Sequence, residues 1–234
     1  ESFGMNVVLK EGYSATAPDL SSLVTKLKRS RPDVVLHTGY NPDITLLLRQ
    51  AKEQGLRFKA LIGHGAGYGV PDKLYEALGN DVDYIFNVDP VSIWLLDPKT
   101  LAKGLPAVTT KVGVEYQKAK PDMKVKSAAL GQGASNAFVF FDDVLPRAIK
   151  KYGGIDSESL RKAAMDTDIA AGGTLLGYGV KFPKQGESDL MGQNMRASPV
   201  VMQYVDRKVY IAWPKELQTI DPVLPLPKSS VYSK

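Results

Sequence analysis

Cysteine is absent from all 234 residues, which excludes disulfides, thiolate metal sites and cysteine nucleophiles and leaves the redox compartment open. Histidine occurs only twice, as His37 and His64. No apolar run approaches the length of a membrane span, and no charged-then-apolar leader resembling a signal peptide opens the chain. The first residue is Glu1 and not Met, which points to a processed chain or one cut from something longer. A clustered basic face is also missing. The formal net charge is +5, from 30 Lys and Arg against 25 acids, but the cations are dispersed and lack the interleaved aromatics of a nucleic-acid surface. No nucleic-acid partner is expected.

What is present is ordinary globular composition, 44% hydrophobic and 24% charged, enough for one large domain or two small ones. The first third alternates strand and helix signals. "MNVVLK" (5–10) reads as a strand. Asp19 suits an N-cap before the helical stripe Leu20, Leu23, Val24 and Leu27. "DVVLHTG" (33–39) is the next strand. Pro42 then opens a helix carrying Ile44, Leu47, Leu48 and Ala51, which stops at Gly55. "FKALIG" (58–63), a helix over 71–78 and "DYIFNV" (83–88) continue the pattern. Apolar strands alternating with amphipathic helices predict a parallel sheet covered on both faces.

After Pro90 the period is lost in "VDPVSIWLLDP", read as a crossing between lobes. Helices are expected over about 105–118, 127–151 (interrupted near Pro146) and 157–166. "PVVMQYV" and "KVYIAWP" flank Asp206-Arg207 as a two-residue hairpin, and the proline-rich tail "DPVLPLPKSSVYSK" is expected to run along the surface. The helix-rich middle has almost no sheet of its own, so it needs strands from an N-terminal segment missing here.

The chemical motifs mostly fail on spacing. "GHGAGYG" (63–69) follows a strand, but Tyr68 or Val70 stands where a dinucleotide fingerprint needs its third glycine. "GQGASN" fails likewise at Asn136, and no phosphate-loop lysine motif exists. The glycines still let backbone N–H groups approach a ligand, although a flexible turn explains them equally well. Ser135 in "GASNA" lacks the second glycine of a nucleophile elbow. His37 and His64 end consecutive strands, but with Asp43 or Asp72 they match no metal spacing, so neither metal nor cofactor is expected. Asp142-Asp143 reads as solvated. Position is the remaining signal. Ligands of open parallel sheets bind beyond the carboxyl ends of the strands, where Tyr13, Tyr40 and the 63–69 loop all fall.

Three stretches, "APDLSSLVTKLKRSRPDVVLHTGYNPDITLLLRQAKEQGL", "IGHGAG" and "GQNMRASPVVMQYVDRKVYIAWP", resemble the C-terminal two-thirds of a type I periplasmic solute-binding protein of ABC importers, leucine/isoleucine/valine-binding-protein-like. The resemblance implies an α/β fold of two lobes joined by three crossings that close around a solute. Residues 1–89 would be the first part of the C-terminal lobe, 90–197 the later part of the N-terminal lobe, and 198–234 the return to the C-terminal lobe and the tail.

By the same resemblance, Tyr40 matches a tyrosine that faces the solute, and His64 falls about where amino-acid-binding members place an acid for the ammonium group. Gly65 and Ala66 continue that loop. Gln132 and Ser135 would contribute from the other lobe, and Trp94 would wall the cleft at the crossing. Imidazole cannot replace a carboxylate as partner for a cation, but it can donate to an anionic or carbonyl oxygen. The implied protein is non-catalytic, extracytoplasmic (periplasmic or membrane-tethered), and partnered by a small polar solute, ABC permease subunits and its own missing N-terminal segment. Two other readings stay open: a cytoplasmic ligand-sensing regulator of the same fold, and an α/β hydrolase-type enzyme using His64 as base.

Overall fold

In the strand Val34–Thr38 (β1), Val35 points into a core while Val34 and Leu36 point away from it, as a period of two requires. The computed structural model describes residues 4–65, 67–126, 131–184, 186–187, 189–190 and 192–234. Within these, one compact unit comprises residues up to 89, 124–126 and 200–234, and a second comprises 90–123 and 131–199.

The first unit is built on a five-stranded sheet in the order β1, β2 (Ala60–His64), β3 (Phe86–Pro90), β6 (Pro199–Val205), β7 (Lys208–Trp213). β1, β2 and β3 are parallel, with Leu36 opposite Ile62 and Ile62 opposite Phe86. Helices Ser21–Ser30 (α1), Asn41–Glu53 (α2) and Pro71–Leu78 (α3) supply the apolar stripes of the main core. Ile44, Leu47, Leu48 and Ala51 of α2 are all buried there, as their spacing predicts. Each large aliphatic among them contributes about 1.5–3 kcal/mol relative to exposure. Residues 124–126 join this unit because Asp72 accepts the Lys124 and Val125 amides at 3.2 Å and Val125 is buried in its core.

Four sequence expectations change. Residues 5–10 form no strand, and Met5, Val7 and Val8 are exposed. An apolar run alone cannot pair its backbone, and residues 5–10 enter neither sheet among the described residues. The face away from the main core is covered where Ala60, Phe86 and Ala212 are buried, but not at its β1 edge, where Leu36 is 71% and Val34 42% exposed. Asp19 lies one residue before the N-cap position, which is Leu20. Its carboxylate still accepts from the Ser21 hydroxyl at 2.7 Å and the Gln50 amide at 2.6 Å. Finally, the tail is pinned: Leu226 and Tyr232 are buried, Tyr232 stacks on Phe58 at 5.4 Å, and its hydroxyl donates to the Leu48 carbonyl at 3.0 Å.

The Asp206-Arg207 hairpin forms with both residues at positive φ, 49° and 60°, the conformation a two-residue turn demands. In the second unit, Leu105–Ala119 (α4), Gln132–Val139 (α5), Leu145–Tyr152 (α6) and Ser157–Met165 (α7) accompany only the two-residue strands Asp168–Ile169 (β4) and Val180–Lys181 (β5). The expected interruption near Pro146 is a π-turn over Phe140–Val144. Pro146 cannot donate to a carbonyl four residues back, and widening the preceding turn accommodates that loss. Asp143 is not simply solvated, since it pairs with Arg147 and accepts from Thr167 at 2.9 Å. No helix among the described residues is long and apolar enough to cross a membrane.

Candidate functional site

The carboxyl ends of β1 and β2 present the candidate residues of the first unit. Tyr40 occupies the N-cap position of α2 in an extended conformation, with its side chain 64% exposed. Its backbone N–H donates to Asp43 Oδ1 at 2.9 Å, the reciprocal arm of a capping box. His64 is the last residue of β2, opposite Thr38, and is exposed. Gly65 follows with φ of 95°, a left-handed conformation that suits glycine. Ala66 lies outside the described residues. Gly67 is buried against the Tyr40 turn, where a Cβ would come within 2.7 Å of the Tyr40 carbonyl carbon and 2.8 Å of the Gly39 oxygen.

Behind this surface lies a set of polar groups that spacing did not reveal. Asp43, buried at the start of α2, accepts from the Tyr13 hydroxyl as well as from Tyr40 N–H. His37 lies 2.7 Å from the Tyr13 oxygen through Nε2 and 2.6 Å from the Tyr68 oxygen through Nδ1. The Tyr13 and His37 rings stack at 5.7 Å. Burial lowers the His37 pKa to about 4, only partly opposed by the Asp43 charge. Burial also raises the Tyr13 and Tyr68 pKa values, with Asp43 pushing in the same direction. His37 is therefore the neutral, packed histidine of the pair, and His64 the exposed one. The sequence singled out Tyr13, His37 and Asp43 separately, but nothing in their spacing joins them.

The remaining candidates belong to the second unit. The Trp94 indole lies over Gly113, where a Cβ would come within 2.9 Å of the ring, and lines an apolar cavity of about 200 Å³ with Ile93, Leu101 and Thr109. Gln132 opens α5 and is half-buried. Ser135 is buried and lines a different cavity, of about 260 Å³, with Asn136, Phe140 and Tyr178. Among the described residues no group of three or more His, Cys, Asp or Glu side chains is arranged to hold a metal ion.

Tyr40 and His64 thus stand exposed at the carboxyl edge of the parallel strands, the edge at which open parallel sheets bind ligands. The family profile described as periplasmic binding protein matches residues 1–197, and the chain belongs to that family. It is 34% identical over 212 residues to Leu/Ile/Val-binding protein homolog 7 of Brucella abortus (strain 2308), covering 90% of this chain and 48% of that protein. Among solved structures it resembles the leucine binding protein LivK of Thermotoga maritima MSB8, with a TM-score of 0.60 and 21% identity over 85% of this chain and 49% of that one. It also resembles an extracellular ligand-binding receptor of Rhodopseudomonas palustris HaA2, with a TM-score of 0.62 and 14% identity over 90% of this chain and 55% of that one. The two structures share the fold. The chain spans about half the length of these relatives. The family and the matched structures are binding proteins, not enzymes.

Proposed function

We propose that the whole protein is an extracytoplasmic receptor that binds a small polar organic solute between two lobes and delivers it to the permease of an ABC importer. The observation that carries this reading is the exposure of Tyr40 and His64 at the carboxyl ends of adjacent parallel strands, where this class of sheet binds ligands. Family membership and the names of the relatives support it. On this reading the Tyr40 ring stacks on the solute, and His64 with the Gly65 backbone meets its oxygen atoms. Gln132 and Trp94 contribute from the second lobe on closure. Ser135 is buried beside the cavity it lines.

The identity of residue 64 sets the solute class. A carboxylate at this position would select an ammonium group, whereas imidazole donates a hydrogen bond to a carboxylate or carbonyl oxygen. The preferred solute is therefore an aliphatic or aromatic carboxylate without an essential ammonium group. Calorimetric titration of the whole protein with branched-chain amino acids and with aliphatic and aromatic carboxylates tests the assignment. Saturable binding within this panel, lost in Tyr40→Ala, is expected. Binding that survives Tyr40→Ala unchanged would place the solute elsewhere.

A further inference from the structure

The direction of the Tyr13–Asp43 bond sets the roles of the other groups around His37. Asp43, as a carboxylate, accepts the single Tyr13 hydroxyl proton. The Tyr13 oxygen must then accept, which places a proton on His37 Nε2. A neutral imidazole protonated at Nε2 leaves Nδ1 as an acceptor, and the Tyr68 hydroxyl donates to it. The chain therefore runs one way, Tyr68 to His37 to Tyr13 to Asp43, and Asp43 uses its other oxygen to hold the Tyr40 amide.

These bonds tie together three segments that are separate in sequence. Tyr13 comes from the 11–19 stretch, Asp43 from the start of α2, and Tyr68 from the segment after β2. Packing supports the same seam. A Cβ on Gly39 would collide with the Asp43 carboxylate and approach the Tyr13 oxygen and the His37 ring within 3.0 and 3.1 Å. A second anchor holds the far side, since the buried Tyr204 hydroxyl donates to the Tyr68 carbonyl.

We propose that His37, fixed as the neutral Nε2–H tautomer, and Tyr13 are positioning residues that lock these three segments into one wall presenting Tyr40 to the solute. The inference rests on the solute-binding reading above for its consequence, but not for its geometry. His37 touches no solute; it acts through Tyr13 and Asp43 on the turn carrying Tyr40. The titratable groups facing it are Tyr13 from the 11–19 stretch, Asp43 from α2 and Tyr68 from the segment after β2; its register partner on β2 is Gly63. Protonation at Nδ1 would turn that acceptor into a donor, so the Tyr68 hydroxyl would have to accept and the chain would lose its single direction. The low pKa that burial gives His37 keeps this from happening near neutral pH.

The test uses the whole protein with imidazole ¹⁵N NMR, backbone hydrogen exchange, and two probes, leucine and 4-methylpentanoate. The wild type is expected to show the Nε2–H tautomer of His37. In Tyr13→Phe, which keeps the stacked ring, exchange of the Tyr40 amide and of residues 67–70 should accelerate by about tenfold or more, because both hydrogen bonds of the Tyr13 hydroxyl are lost. Amides of α7 should not change. Affinity for whichever probe binds the wild type should fall by about fivefold or more, with the unfolding midpoint less affected than in Tyr204→Phe. His37→Phe should do at least as much; where it fails to fold, Tyr13→Phe decides. An Nδ1–H tautomer, or unchanged exchange in Tyr13→Phe, overturns the proposal. So does faster exchange with unaltered probe affinity. If neither probe binds the wild type, the solute reading fails separately, and the tautomer and exchange data still decide whether the seam exists.

Discussion

Tyr40 and His37 show how differently two residues three apart in sequence can act. Tyr40 is mostly exposed, so removing its ring should cost little stability while weakening solute binding. Gly67 is the opposite case. Gly67→Ala forces a methyl group against the Tyr40 carbonyl, and we expect a loss of at least about 1–3 kcal/mol, typical of overpacking, together with weaker binding. Chemical denaturation and calorimetry on the same variant check both. His37 supplies a pH prediction. Its folded pKa of about 4 lies below the unfolded 6.5. Between those values the unfolded chain binds a proton that the folded chain does not. Stability from this group is complete above pH 6.5, falls as the pH drops towards 4, and then levels off, the full loss being about 3 kcal/mol. Urea midpoints at pH 7 and 4.5 should differ less in His37→Gln than in the wild type; equal differences would refute the assignment.

At the scale of elements, most helices and strands were legible because their apolar spacing and their stops agree. α2 has Pro42 in its first turn and Gly55 beyond its end, and the 206–207 hairpin has strand-like flanks. What was not legible depends on partners remote in sequence. Residues 5–10 carry a strand composition but enter neither sheet, and the tail's anchoring depends on Phe58 and Leu48, which no local pattern in the tail can indicate. The candidate site divides the same way. Tyr40 and His64 could be placed from strand ends, whereas the Tyr13–His37–Asp43 contacts arise from segments 24 and 30 residues apart. The hairpin offers a stability test. Asp206→Gly relieves a left-handed residue and should stabilise by about 0.5 kcal/mol. Arg207→Gly should gain less, because Arg207 also lies 5.2 Å from the centre of the Tyr75 ring. A larger gain from Arg207→Gly would show that the cation–ring contact contributes nothing.

At the scale of the whole molecule, the first unit carries its main core on one sheet face and, on the other, a small buried cluster of Ala60, Phe86 and Ala212 beside exposed Val34 and Leu36 at the β1 edge. If further chain covers that face in the whole protein, Leu36→Ser should destabilise it by about 1.5–3 kcal/mol, the cost of unburying a leucine. A change below about 0.5 kcal/mol would show that Leu36 remains open to solvent. The central claim concerns the solute, and leucine and 4-methylpentanoate differ only in the amino group. Titrating both into the whole protein, wild type and His64→Glu, isolates the part played by residue 64. The account predicts that the wild type binds 4-methylpentanoate more tightly than leucine and that His64→Glu reverses the order. Tight leucine binding by the wild type, with weak binding of the carboxylate, would contradict it.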